Sequence, residues 1–173
     1  YIYFVDGRYA EAEPYFSRIT ANSEYYQHPL FFLSYIAYIN KEYDVAEQGF
    51  KKLQSYDDYA DLVPFYLLQI EYRKGNYDYV ISNGESLLEP ASDEERPSDD
   101  ARVDLVRVLA ESYYAIGDYA QAKRYISQYP KELMGRQEYY ILGYSLYRLA
   151  LYDQAIAPLK EACGKPDELT QNA

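Results

Sequence analysis

His28 is the chain's one imidazole and Cys163 its one thiol, the two residue types most often recruited for acid–base, nucleophilic or metal chemistry. Each needs a partner at defined spacing, a base beside the nucleophile or further ligands around the metal, and the sequence offers neither. His28 precedes Pro29 at an expected helix start, so a surface or capping role is expected. Cys163 falls in the last helical stretch, where burial as a small apolar side chain is expected. The remaining cluster is acidic: "EPASDEERPSDD", Glu89 to Asp100, holds Asp93, Glu94, Glu95, Asp99 and Asp100. These are cation ligands by type, but they lack the alternating ligand positions and the glycine of a calcium loop. A solvated loop is expected, with Ser98 capping the helix that follows and Asp99 and Asp100 near its positive end. No glycine-rich phosphate loop or metal spacing is present, so no catalytic residue, metal or cofactor is expected.

The unusual chemistry lies in the 25 tyrosines, which with 6 phenylalanines and no tryptophan exceed ordinary core needs. Their positions repeat. "GRYAEAEPYF" from Gly7, "KEYDVAEQGF" from Lys41, "GNYDYVISNG" from Gly75, "GDYAQAKRYI" from Gly117 and "ALYDQAIAPL" from Ala150 are versions of one phrase. Its tyrosines stand at 9, 43, 77, 119 and 152, with spacings of 34, 34, 42 and 33. This is one period with one insertion, at the acidic loop 89–100.

The 34-residue period resembles the tetratricopeptide repeat family, and the tyrosine-rich hairpins resemble large bacterial members of it. The resemblance implies an all-α, right-handed superhelical solenoid of antiparallel helix hairpins over residues 1–173, with a lean toward a bacterial envelope setting. The repeats would run approximately over 1–24, 25–58, 59–100, 101–134 and 135–168, with 169–173 starting another. Three residues after each turn tyrosine stand Ala12, Ala46, Val80, Ala122 and Ala155; seven after stand Phe16, Phe50, Gly84, Ile126 and Leu159. The small residue lets the helices of a pair approach, and the large one fills the space between hairpins. Ten residues before the tyrosine stand Leu33, Leu67, Leu109 and Leu142, followed by Ser34, Leu68, Ala110 and Gly143. That second position is usually small in the family, and Leu68 departs from it. Asn83 and Gly84 replace a large apolar residue with two poor helix formers, so the second helix of repeat three is expected to pack most weakly.

In such a fold the first helix of each pair lines a concave face, and residues spaced i, i+4 and i+7 along it share one stripe. Five residues before the turn tyrosines this gives Phe4, Tyr38, Tyr72, Tyr114 and Tyr147. Eight before, it gives Tyr1, Tyr35, Gln69, Glu111 and Tyr144; twelve before, Phe31, Phe65, Arg107 and Tyr140. The candidate partner-binding set is therefore Phe31, Tyr35, Tyr38, Phe65, Gln69, Tyr72, Arg107, Glu111, Tyr114, Tyr140, Tyr144 and Tyr147, with Arg107 and Arg148 as its cations. The bland alternative is that these rings support neighbouring helices. The carboxylate-holding lysine and asparagine clamp of some chaperone-binding relatives is not visible. On this reading Leu109→Ala or Leu142→Ala costs about 2–5 kcal/mol and Tyr35→Ala much less.

Seventeen basic against 28 acidic residues leave a net charge of −11, which repels phosphate backbones and anionic lipid surfaces. The expected function is a non-catalytic interaction or scaffolding module whose partner is a protein or peptide, basic or aromatic in character. Nucleic acid and membrane insertion by this segment are not expected. Two alternatives stay open, a glycan-binding module of a cell-envelope assembly and the helical arm of a larger enzyme. The terminal repeats lack polar caps, so continuation beyond the C-terminal end and end-to-end self-association are expected.

Overall fold

The computed structural model describes residues 1–19, 23, 25–60, 62–89 and 98–164. Asp93, Glu94, Glu95 and residues 169–173, read above as loop and as the start of a further repeat, lie outside the described residues. Among those described there are ten α-helices, two short 3-10 turns and no strand. No described helix is long and apolar enough to cross a membrane. The chain divides into two compact units, Tyr1–Gly75 and Asn76–Ala173. The division falls between the two helices of the third repeat.

The first unit holds α1 (Ile2–Val5), α2 (Tyr9–Phe16), α3 (Gln27–Ile39), α4 (Tyr43–Leu53) and α5 (Leu62–Lys74), each packed on the next. Leu30, Ala37, Ala46, Phe50, Leu53, Val63, Leu67 and Ile70 form its main core. Ala12, Phe16 and Ile36 form a smaller cluster beneath α1 and α2. The second unit holds α6 (Tyr77–Leu88), α7 (Asp99–Ile116), α8 (Tyr119–Ile126), α9 (Arg136–Arg148) and α10 (Tyr152–Cys163). Successive helices pack there too, and α7 also reaches α9.

The repeated phrase is a helix stop and start. Two residues before each turn tyrosine the backbone is left-handed, at Gly7 (φ 73°), Lys41 (65°), Gly75 (81°), Gly117 (84°) and Ala150 (59°). At Gly117 the amide donates to the Tyr114 carbonyl and the next amide, of Asp118, to Tyr113, the paired bonds that close a helix C-terminus. The same pair recurs after α1, α3 and α9. The next helix then begins on the tyrosine itself in all five repeats. Three residues on, Ala12, Ala46, Val80, Ala122 and Ala155 are 0–2% exposed, which explains the small residue at that offset.

Close approach is also visible at the position after the leucine. Gly143 is buried, and a Cβ built on it would lie 2.7 Å from Leu159 Cγ and 3.0 Å from its backbone nitrogen. Ser34 is buried and donates to the Leu30 carbonyl, while Ala110 and even Leu68 are buried too. Leu67 and Leu109 are core residues as expected, but Leu33 and Leu142 are only half-buried. Helix α6 runs unbroken through Asn83 and Gly84 and buries Val80, Gly84 and Leu88. Asn83 donates its amide to the Tyr79 carbonyl one turn back, so this poor helix former satisfies itself locally. Of two other expectations, one holds and one changes. Ser98 accepts from the Ala101 amide and caps α7 as expected, but Cys163 is exposed where α10 ends.

Candidate functional site

The tyrosine stripes fall into two separate groups, one in each unit. In the first unit the spokes meet at a hub. Tyr66 of α5 lies flat on Phe50, with ring centroids 4.7 Å apart and planes 1° from parallel. Its edge or face meets Phe31 at 5.8 Å, Tyr35 at 5.9 Å and Tyr38 at 6.2 Å. Burial pushes the Tyr66 phenol up to about 12. Tyr35 is further wedged against Phe4 and Tyr9, and its phenol is raised by burial and by the hydrogen bond with Tyr9. Phe31 stacks on Tyr59, whose hydroxyl lies 2.7 Å from Nδ1 of His28. The histidine thus helps anchor the start of α3.

Phe31, Tyr35, Tyr38, Phe65 and Tyr72 are all half-buried, so this face is a mosaic of supported rings. Gln69, on the same stripe, is buried, with its amide nitrogen lacking a hydrogen-bond partner among the described residues. The Tyr66 hub was not among the sequence candidates. It sits eleven residues before Tyr77, off the stripe, and only its pairing with Phe50 marks it.

The second unit presents a more open arrangement. Tyr114 of α7 makes edge contacts with Tyr119 at 5.9 Å, Tyr140 at 6.2 Å and Tyr144 at 5.8 Å. Tyr140 stacks on Tyr144 at 5.7 Å, Tyr144 leans on Tyr147 at 6.2 Å, and Tyr147 leans on Tyr152 at 5.7 Å. The spacing of one helical turn along α9 builds this row. Tyr114 is the covered end, its phenol raised by burial and by its hydrogen bond with Tyr140. Tyr140, Tyr147 and Tyr152 are the open end, 44%, 52% and 59% exposed.

The two expected cations differ sharply. Arg107 is tied down by Glu111 at 3.3 Å and Asp104 at 3.4 Å. Glu111, itself buried, also accepts from the Gln137 amide at 3.2 Å. Arg107, Glu111 and Gln137 therefore form an internal polar tie beside the tyrosine row. Arg148 instead lies over the Tyr119 ring at 4.5 Å and donates to the Tyr119 hydroxyl at 3.0 Å.

A further cluster had no counterpart among the sequence candidates. One oxygen of Glu85 on α6 accepts from the hydroxyls of Tyr113, at 2.8 Å, and Tyr125, at 2.6 Å. The two rings stack at 5.5 Å, and both are buried. These donors hold the Glu85 carboxyl below the usual carboxylate range, Tyr125 contributing most. Among the described residues no group of His, Cys, Asp and Glu is arranged to hold a metal ion.

No family model matches the chain, and no curated protein matches it in sequence. Among the solved structures that share its fold are two descriptions of one protein. One, described as "MamA MSR-1 C2", superposes with a TM-score of 0.69 at 12% identity, over 92% of this chain and 88% of that one. The other, "Crystal structure of MamA", gives 0.70 at 13% identity, over 92% and 90%. MamA is a tetratricopeptide-repeat protein, and the chain has the same all-helical, tetratricopeptide-like repeat fold.

Proposed function

We propose that the chain is a non-catalytic interaction or scaffolding module that takes an extended peptide or a partner helix on its tyrosine faces. The observation that carries this reading is the row on α7 and α9, where Tyr140 and Tyr147 are exposed yet braced by neighbouring rings. Exposed aromatic side chains held in place lose little rotamer freedom on binding, and they offer large contact area with a polar tip. The tetratricopeptide-like fold supports the same reading, since its paired helices present such stripes side by side. Tyr35, Tyr38, Phe65 and Tyr72 form the corresponding face of the first unit. Arg107 and Glu111, tied to one another, stand on the same stripes as the rings.

A peptide is the proposed occupant. Edge-to-face packing, as in Tyr114 with Tyr119, Tyr140 and Tyr144, uses ring faces inside the cluster. The exposed phenol hydroxyls of Tyr140 and Tyr147 can also hydrogen-bond backbone amides and carbonyls of a peptide. A library of random displayed peptides selected on the chain tests this. Enriched peptides should bind at least about tenfold more weakly to the Tyr140→Ser/Tyr147→Ser variant, a loss of about 1.4 kcal/mol, while its melting temperature stays close to the parent's. No enrichment, or unchanged affinity in the variant, contradicts the proposal.

A further inference from the structure

Arg148 is an exposed arginine with no acidic partner among the described residues, in a chain whose net charge is −11. Arg107 is neutralised by Glu111 and Asp104, Lys74 by Asp44 and Glu47, and Arg8 by Glu11. Arg148 belongs with Arg18, Arg73 and Arg124, which lie over tyrosine rings with no ion pair among the described residues, and of these it is the one beside the α9 tyrosine row. The polar contacts of Arg148 are two phenol oxygens, Tyr119 at 3.0 Å and Tyr144 at 3.4 Å, both reached from Nη1. Its guanidinium carbon stands 4.5 Å above the Tyr119 ring and 5.8 Å from that of Tyr144. Aromatic contact fixes the plane of the guanidinium, while the Nε and Nη2 donors on its other edge have no acceptor among the described residues. That edge is the one a carboxylate takes with two parallel hydrogen bonds. Tyr147 and Tyr152, both exposed, continue the aromatic surface on the adjoining part of α9 and α10.

Resting on the reading of this face as a partner surface, we infer that Arg148 is a recognition point for an acidic side chain of the partner peptide, with an aromatic or apolar neighbour placed on Tyr147. The observation behind it is a guanidinium held through Nη1 by two phenols, with no acceptor among the described residues on its Nε and Nη2 edge. The chain's negative field opposes an acidic partner at a distance, but beyond a Debye length of about 8 Å that field is screened. At contact the guanidinium, which has no ion pair among the described residues, decides. The partner therefore carries its acid at this one position, whatever the sign of its charge elsewhere.

Three synthetic peptides, acetyl-Gly-Gly-Glu-Phe-Gly-Gly-amide and its Gln and Lys counterparts, test the inference by titration against the labelled chain with NMR detection. The glutamyl peptide is expected to bind at least about tenfold more tightly than the glutaminyl one, the scale of one charge-assisted contact. Arg148→Gln should erase that preference, and Arg124→Gln, which alters an arginine over Tyr125 instead, should leave it intact. Sodium acetate at the same concentration should not displace the peptide. Equal binding of all three peptides, no binding of the glutamyl peptide at millimolar concentration, full displacement by acetate, or a preference that survives Arg148→Gln each overturns the inference. Tightest binding of the lysyl peptide, lost in Tyr147→Ser but kept in Arg148→Gln, overturns it too while leaving the partner surface itself standing.

Discussion

Lys41 and Ala150 hold left-handed backbone that costs an L-residue roughly 1–2 kcal/mol, at turns where Gly7, Gly75 and Gly117 meet the same demand freely. Replacing either with glycine should stabilise the chain by up to about 1 kcal/mol, since the added freedom of the unfolded chain offsets part of the gain. Gly117→Ala should cost about as much; its added methyl meets only the Tyr119 hydroxyl at 3.9 Å, so strain is the whole effect. Denaturant titrations decide both signs. Glu85 supplies a second residue-scale expectation. Glu85→Ala leaves the hydroxyls of Tyr113 and Tyr125 unpaired and should cost about 1–3 kcal/mol. Because its folded pKa is depressed, the stability Glu85 contributes is present above the ordinary carboxylate range and fades as pH falls through its folded value. Acidification from neutral pH should therefore destabilise Glu85→Gln less than the parent. An equal loss in both would remove the carboxylate from the account of acid stability.

The helices separate packing from presentation. Leu109 on α7 is fully buried, so Leu109→Ala should cost about 2–5 kcal/mol, whereas Leu142 on α9 is half-buried and should cost clearly less. Tyr147→Ala should cost little. Tyr35→Ala belongs between them, because its ring is wedged among Phe4, Tyr9 and Tyr66, and each such pair contributes about 0.5–1.5 kcal/mol. Gly143→Ala should be costly for its size, since its methyl would press on Leu159 of the paired helix. Much at this scale was legible in the sequence. The period marked every second helix to its first residue, and the small residue three places on marked where helices meet. Side-chain partnerships were not legible. Glu85 finds its phenols 28 and 40 residues away, and Tyr66 stands beside Leu67, outside the stripe that drew attention to its neighbours. Burial of Gln69 and Glu111 was hidden for the same reason: helical spacing assigns a face to a residue, but what covers that face comes from other helices.

At the scale of the whole molecule, tyrosine serves both as core and as surface, and pH distinguishes the two. Burial pushes the phenols of Tyr66 and Tyr113 up to about 12, and those of Tyr114 and Tyr125 are raised as well. Their folded pKa values lie above the unfolded value of about 10, so the stability linked to them is complete below pH about 10 and is lost as pH rises toward and through the folded values. Alkaline melts should show this fall, and the phenolate absorbance of the buried rings should rise together with unfolding. Release of every phenol in one ordinary step, with helix content intact, would contradict the division. The central claim is that exposed, braced tyrosines receive a partner, and it is tested most directly by NMR of the tyrosine rings during titration with a library-selected peptide. Ring signals of Tyr140, Tyr144 and Tyr147 should shift saturably and together, while those of Tyr15 and Tyr79, exposed elsewhere, stay in place. Shifts confined to Tyr15 or Tyr79, with the α9 row unmoved, would contradict it.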